Sequence, residues 1–357
     1  MTVRAGRGVD PRRNDRCSAI AHAWAATTWP DPSEQRCSRG AFAHVVPTSG
    51  RSVAVTSDGI GSKVEIAERM GRYDTLGFDL VAMVVDDLAA AGARPTALTN
   101  ILDVDRLDEP TIEALMRGLA AAARAAGVVI AGGEIAQLGP RVRGYGDGMH
   151  FNWCATGLGD PFGRPTTPER SPRPGDVLIA LSSDGFRSNG FTLARSILEE
   201  RFGSSWHEAV AASGRAWGEV LLAPSRIYAP TVVAMAGSAV PLLACVHVTG
   251  GGLPGNVPRI LEGLGLRAEL RSLPPPHPEM IELIEVAGLE PQEAYLQWNM
   301  GTGFVCVVPP EAAHEAIGIA EDRGIRCEAA GELTEGAGLS IDGRAWGLGE
   351  LRYEEAS

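Results

Sequence analysis

Thr56-Ser57-Asp58-Gly59-Ile60-Gly61-Ser62-Lys63 follows the apolar run Val53-Ala54-Val55, so a strand leads into a carboxylate, two glycines and a cation. Glycines accept positive φ and put no Cβ in the way, which lets successive backbone N–H groups converge on one anion. Asp58 suits a hard cation, and Lys63 suits phosphate as a point charge. Lys63 is also the single lysine of the chain, arginine supplying the rest of the 32 basic residues. Two readings stand for the octapeptide alone: a phosphate and metal site, or an ordinary tight turn with an exposed lysine, because short glycine motifs match by chance.

Working outward, residues 1–50 read as an irregular, partly mobile arm with one short helix over Arg16 to Ala26. After strand 53–57, Leu76, Leu80, Val84 and Leu88 recur at helical spacing and predict a helix over about 74–92 that stops at Gly92. Asp79 and Asp86 stand seven apart and share one face of that helix, whereas Asp87 is turned about 100° from Asp86. Carboxylates on an otherwise apolar helix need a reason. A strand over 96–104 and an alanine-rich helix over 109–126, closed by Gly127, lead to Val128-Val129-Ile130-Ala131 and then Gly132-Gly133-Glu134. Read as a second strand end with glycines and an acid, this places Asp58 and Glu134 on a shared metal; read otherwise, it is a hairpin or cap turn with an incidental glutamate. A strand over 149–158 completes the first domain, assigned to residues 51–160.

Residues 161–175 are proline-rich and predict a linker, since proline blocks both helix and central strand. The second domain, 176–346, opens with a strand over 176–181, followed by Arg187-Ser188-Asn189-Gly190 and a helix over 191–201. A strand over 242–248 ends at His247 and Val248 and runs into Thr249-Gly250-Gly251-Gly252, ahead of a helix near 253–256. Three glycines between a strand and a helix start make either an anion-binding nest or a flexible connection. The remaining short strands (266–270, 303–308, 325–332) and helices (278–288, 311–323) give an α+β layer arrangement.

Bulk properties narrow the function. At 357 residues two domains are expected. A net charge of −12 argues against a nucleic-acid partner held by a broad basic field, and no apolar run reaches the ~18 residues of a membrane span. Six scattered cysteines form no CxxC pair, and no secretory leader is read at the N-terminus, so the expected compartment is the cytoplasm.

Eight stretches in order resemble the phosphoribosylformylglycinamidine cyclo-ligase (AIR synthetase) family and its ATP-binding superfamily. They are Ser57–Lys63, Gly77–Met83 with Asp87-Leu88, Gly132–Glu134, Gly175–Ile179, Ser188–Gly190, Leu221–Tyr228, His247–Gly252 with Asn256-Val-Pro-Arg259, and Asn299–Phe304. The resemblance covers about residues 50–340 and implies a homodimer paired through the N-terminal sheets, with the active site in the cleft between the two domains. It also implies ATP and Mg2+ as cofactors. Asp58, Asp87 and Glu134 become the metal ligands, with Gly59, Gly61, Gly132, Gly133, Asn189 and Gly250 to Gly252 around the nucleotide and phosphate. Lys63 becomes a phosphate contact, and Arg187 and His247 become candidates at the reacting end; for His247, ending an apolar strand, a structural role stands equally open.

This chain departs from the family pattern in four places. The N-terminal glycine loop survives only as Arg39-Gly-Ala-Phe-Ala43, His22 stands near an absent lysine, Arg187 replaces a histidine, and Gly132–Gln137 reads Gly-Gly-Glu-Ile-Ala-Gln. Two other functions therefore stay in view: a divergent ATP-dependent ligase or kinase with another substrate, and a non-catalytic nucleotide-binding dimeric scaffold.

Overall fold

A computed structural model describes residues 11–28, 41–162 and 171–354, with side chains from residue 16 onward. Residues 29–40, with Cys37 and Arg39, and residues 163–170 of the expected linker lie outside the described residues. The predicted N-terminal helix is present as α1 (Pro11–Ala26).

The first sheet collects β1 (His44–Thr48), β2 (Arg51–Gly59), β3 (Ala93–Val104), β4 (Val129–Gln137) and β5 (Phe151–Pro161), with α2 (Lys63–Met70), α3 (Leu76–Ala90) and α4 (Glu109–Ala126) between them. Its strand order is β1-β2-β5-β3-β4. Only β3 and β4 pair in parallel, and α4 makes the crossover between them. Asp108 caps α4 by accepting the Thr111 N–H, and Gly127 closes it in the left-handed conformation. α3 is apolar nearly all round, as a central helix must be: every residue except Phe78 and Asp87 is buried. It crosses α4 at two glycines, where a Cβ on Gly77 would overlap the backbone of Gly118 and Leu119.

The second sheet is built from β6 (Val177–Ser182), β7 (Ala244–His247), β8 (Leu266–Leu270), β9 (Thr302–Val308), β10 (Cys327–Glu335), β11 (Gly338–Asp342) and β12 (Glu350–Tyr353), in the order β12-β11-β8-β10-β6-β9-β7. β9 is buried along its whole length, and β12 carries the sheet past the expected end at residue 346. Around it lie α5 (Phe191–Phe202), α6 (Trp217–Leu222), α7 (Ala229–Ala236), α8 (Gly252–Asn256), α9 (Pro278–Ala287), α10 (Pro291–Gln297) and α11 (Ala313–Glu321). The α+β reading holds. The short elements α2, α6 and α10 and the short strands β1, β11 and β12 were not read from sequence. Elements of four to eight residues carry too little periodicity to be distinguished from loops.

Two helical glycines should respond with opposite signs. Gly77→Ala drives a methyl into α4 and is expected to cost about 1–3 kcal/mol. Gly318→Ala in α11 meets nothing within 4 Å and is expected to stabilise by roughly 0.5–1 kcal/mol. Calorimetric melting temperatures decide; a Gly77→Ala protein as stable as the parent would show that the α3–α4 crossing can relax.

Candidate active site

α3 organises the seam between the two domains. Asp79 and Asp86, on its shared face, both reach the second domain. The Asp79 Oδ1 atom accepts from the Ser225 N–H at 3.1 Å, the Ser225 hydroxyl at 2.5 Å and Lys63 Nζ at 2.7 Å. Asp86 Oδ1 accepts from the N–H groups of Tyr228 at 2.7 Å and Ala229 at 2.8 Å, at the start of α7, where a helix favours negative charge. Its Oδ2 accepts from Arg187 Nη2 at 3.1 Å.

Asp87 points away from that face, into the cleft. Its Oδ1 meets His247 Nδ1 at 2.8 Å, while His247 Nε2 lies 2.7 Å from Arg187 Nη2. A guanidinium only donates, so Nε2 is the acceptor and Nδ1 carries the hydrogen given to Asp87. Burial, helped by the Arg187 charge, pushes the His247 pKa down to about 3, and the ring is neutral. Asp58, inside β2, accepts from the Gly59 N–H at 2.7 Å. Burial raises the Asp58 carboxyl to about 6, against that N–H and with the Asp87 charge adding to the rise. Asp87 is raised to about 7, again chiefly by burial, against the nearby Arg259 and Arg187 charges and the Thr56 hydroxyl. Asp58 and Asp87 could hold a dication, carboxylate oxygen being the donor that Mg2+ takes, while among the described residues no group of three or more His, Cys, Asp or Glu is gathered as a metal site.

The glycine loop of the second domain, Thr249 to Gly252, starts two residues after His247, the side chain that meets Asp87. Gly251 and Gly252 adopt positive φ, and a Cβ on Gly252 would overlap the Tyr295 carbonyl. Asn256 braces the loop by donating to Gly250 O at 3.1 Å and Gly252 O at 2.7 Å. Among the described residues the N–H groups of Gly250 and Gly251 meet no acceptor. Asn189 abuts Gly250, its Oδ1 lying 3.6 Å from where a Cβ would stand.

Residues 40–158 match the family model for the N-terminal domain of AIR synthase related proteins, and residues 173–344 match the model for the C-terminal domain. The chain belongs to the AIR synthase family. A phosphoribosylformylglycinamidine cyclo-ligase of Methanothermobacter thermautotrophicus is 38% identical over 83% of this chain and 84% of its own, and one of Anaeromyxobacter dehalogenans is 40% identical over 83% and 85%. Among solved structures, the thiamine monophosphate kinase of Aquifex aeolicus shares the fold with a TM-score of 0.60 at 17% identity, covering 91% of this chain and 96% of that one.

Within this AIR synthase fold four expectations are corrected. Lys63 does not face a phosphate: its ammonium is fully buried, and Asp79 Oδ1 (2.7 Å), Ala223 O (2.6 Å) and Arg187 O (3.0 Å) engage its three donors. Glu134 does not join Asp58. Across the sheet Asp58 aligns with Ala155, Asn100 and Gly133, so Glu134 lies on the opposite face, beside exposed Ile101 and three strands, about 14 Å, away. Gly132 and Gly133 are thus mid-strand in β4, where Gly133 gives room to the Asn100 amide. Arg187 makes no contact with the open cleft. It is buried at φ +61, donates to Arg226 O, Asp86 and His247, and stacks 4.7 Å over the Tyr228 ring. His247 is closed off in the same way, with both ring nitrogens engaged. Gly59 ends β2, and Gly61, at φ +67, turns the chain into α2.

One residue of the cleft went unassigned in the sequence. Arg259, three residues after Asn256, donates to Asn256 Oδ1 at 2.9 Å and lies over the Phe42 ring at 4.6 Å. The spacing on one helical turn was the available signal.

Lys63→Met isolates the first correction. It strands the Asp79 carboxylate in the seam and is expected to cost about 3–5 kcal/mol, read as a lower melting temperature. Nucleotide affinity per folded molecule, measured by isothermal titration calorimetry, should stay within twofold of the parent. A tenfold fall with unchanged melting would return Lys63 to the phosphate.

Proposed function

We propose that the protein closes the imidazole ring of formylglycinamidine ribonucleotide at the expense of ATP, giving aminoimidazole ribonucleotide, as a step of purine biosynthesis. The observation that carries this is the link across the seam from Asp87, beside Asp58 in one domain, through His247 and Arg259 to the strand end and Asn256-braced glycine loop of the other. Identities of 38–40% to proteins named phosphoribosylformylglycinamidine cyclo-ligase support it.

The substrate amide carbon is a poor electrophile. Its oxygen attacks the γ-phosphorus, the bond to ADP breaks, and the oxygen becomes part of a phosphate leaving group. The substrate's own amine then attacks the activated carbon, the C–O bond breaks, phosphate departs and a proton is lost. Such a reaction asks the protein for positioning and charge stabilisation. Asp58 and Asp87 would hold Mg2+ together with phosphate oxygens, the arrangement this ion prefers, and the ion would offset charge on the transferring group. The neutral His247 donates to Asp87 and fixes which carboxylate oxygen faces the cleft. The Gly250 and Gly251 amides supply uncharged donors for a phosphate, and Asn256 holds their loop in shape.

The dimer expected from the family resemblance finds support on the uncovered face of the first sheet. Ile101 of β3 is 53% exposed there, and Val129 of β4 is exposed on the same face, while Ile130 and Ile135 are exposed on the other side of β4, the edge strand. A second copy of the chain, pairing through these strands, would cover that apolar surface.

Purified protein with magnesium ATP and formylglycinamidine ribonucleotide should yield ADP and aminoimidazole ribonucleotide in equal amounts. ADP without the imidazole would point to another acceptor, and neither product would point to a binding role. Asp58→Asn is expected to weaken Mg2+-dependent ATP binding while sedimentation velocity still shows a dimer; unchanged affinity would remove Asp58 from the metal site. Ile101→Glu should shift the sedimenting species to monomer, and a dimer that survives it would place the interface elsewhere.

A further inference from the structure

Of the cations at the domain seam, Lys63, Arg187 and Arg259 are held differently. Lys63 and Arg187 are buried against Asp79 and Asp86, whereas Arg259 is exposed to solvent. Its position is nevertheless defined. The guanidinium lies 4.6 Å over the ring of Phe42, in the segment just before β1, and Nη1 donates to Asn256 Oδ1 at 2.9 Å. Asn256 is the side chain that braces Gly250 and Gly252, so Arg259 stands one side chain from the glycine loop. On its other side it is close enough to Asp87 for each charge to affect the other. Phe42 is itself tied to the site, since its carbonyl accepts from the hydroxyl of Thr56, in the strand that carries Asp58.

We propose that Arg259 is the cationic contact for a phosphate group bound in this cleft, placed by Phe42 and Asn256 beside the Gly250 and Gly251 amides. The inference rests on reading the cleft as a site for phosphorylated ligands. A polyanion that enters it meets the two carboxylates Asp58 and Asp87, and His247 brings no charge. Asp58 and Asp87 would hold a dication that offsets their own charge, and phosphate oxygens facing the second domain would still need a donor of positive charge. A guanidinium supplies it with a planar fork that matches two phosphate oxygens, and stacking on Phe42 holds the fork in one orientation at little entropic cost. The same chemistry serves a phosphate of ATP or the ribose phosphate of the second substrate.

Arg259→Gln and Arg259→Lys separate these cases. For each, the dissociation constant of magnesium ATP is measured by calorimetry without second substrate. The KM and kcat for formylglycinamidine ribonucleotide, the melting temperature and the thermal shift given by inorganic phosphate complete the set. Arg259→Gln is expected to weaken one ligand by about ten- to a hundredfold, with the melting temperature of the free protein unchanged and the phosphate-induced shift lost. Arg259→Lys should recover part of that loss through its charge. Loss on ATP assigns the nucleotide, and loss on KM assigns the ribose phosphate. ATP affinity, KM and the phosphate shift all within twofold of the parent overturn the proposal, as does a loss matched by a fall in melting temperature that the lysine variant fails to repair. If the parent protein binds ATP but forms no imidazole, the cyclo-ligase reading fails while the ATP and inorganic phosphate arms still decide the role of Arg259.

Discussion

Two carboxylates seven residues apart on α3 hold the molecule together. Asp79 and Asp86 leave the first domain on one face of the helix and enter the second, where Ser225, the first turn of α7 and Arg187 receive them, while Lys63 of the first domain pairs with Asp79. Burying ions is costly unless each is paired and its remaining donors or acceptors are satisfied. Here two anions meet two cations in a neutral set and each lysine hydrogen has an acceptor, although among the described residues Asp79 Oδ2 and Arg187 Nε are buried without a hydrogen-bond partner. Breaking one member leaves an uncompensated charge in an apolar seam. The relative placement of the domains is therefore defined by polar geometry, and fat-on-fat packing, which tolerates sliding, does not set it alone.

That constraint builds the cleft. Because α3 is locked by Asp79 and Asp86, the next residue, Asp87, is carried round by one helical step and presented where β2 brings Asp58 and β7 brings His247. Nothing else in α3 needs to move to place it. The second domain answers with its own rigid feature, the loop after β7, where glycines admit the Tyr295 carbonyl and Asn256 cross-braces the turn. The site is thus preorganised from elements that are structural in themselves. This is what a reaction limited by positioning and charge requires.

Much of this was legible in the sequence, and the failures have a common cause. The helical period gave α3, the glycine stops gave the ends of α3 and α4, and the one-step rotation correctly set Asp87 apart from Asp79 and Asp86. Periodicity names a face but not what the face meets, so the lysine beside Asp58 was read as a ligand contact when its partner lay sixteen residues ahead on α3. Glu134 failed for a different reason. A run of glycines before an acid reads as a strand end, but β4 continues to Gln137, and in a strand a shift of one residue moves a side chain to the opposite face. Gly133 shares a face with Asp58, whereas Glu134 lies across the sheet. Arg259 was missed because its value depends on Phe42, more than two hundred residues earlier, and on a loop brace that no local pattern reports.

Arg187 shows how a departure from the family pattern can act at a distance. Where the resembling sequences carry histidine, this chain places a longer side chain at a left-handed backbone position, φ +61, which ordinary residues adopt only under constraint. The carbonyl of Arg187 accepts from Lys63, and its guanidinium, over the Tyr228 ring, reaches Asp86, His247 and Arg226 O. An imidazole has two ring nitrogens and a shorter reach, and it cannot donate to that many acceptors at once. The guanidinium also cannot accept a hydrogen bond, so it forces His247 to hold its hydrogen on Nδ1, toward Asp87. The substitution therefore alters the cleft through the orientation of Asp87 and the rigidity of the seam. Being buried, it leaves the choice of substrate to the residues that remain exposed there.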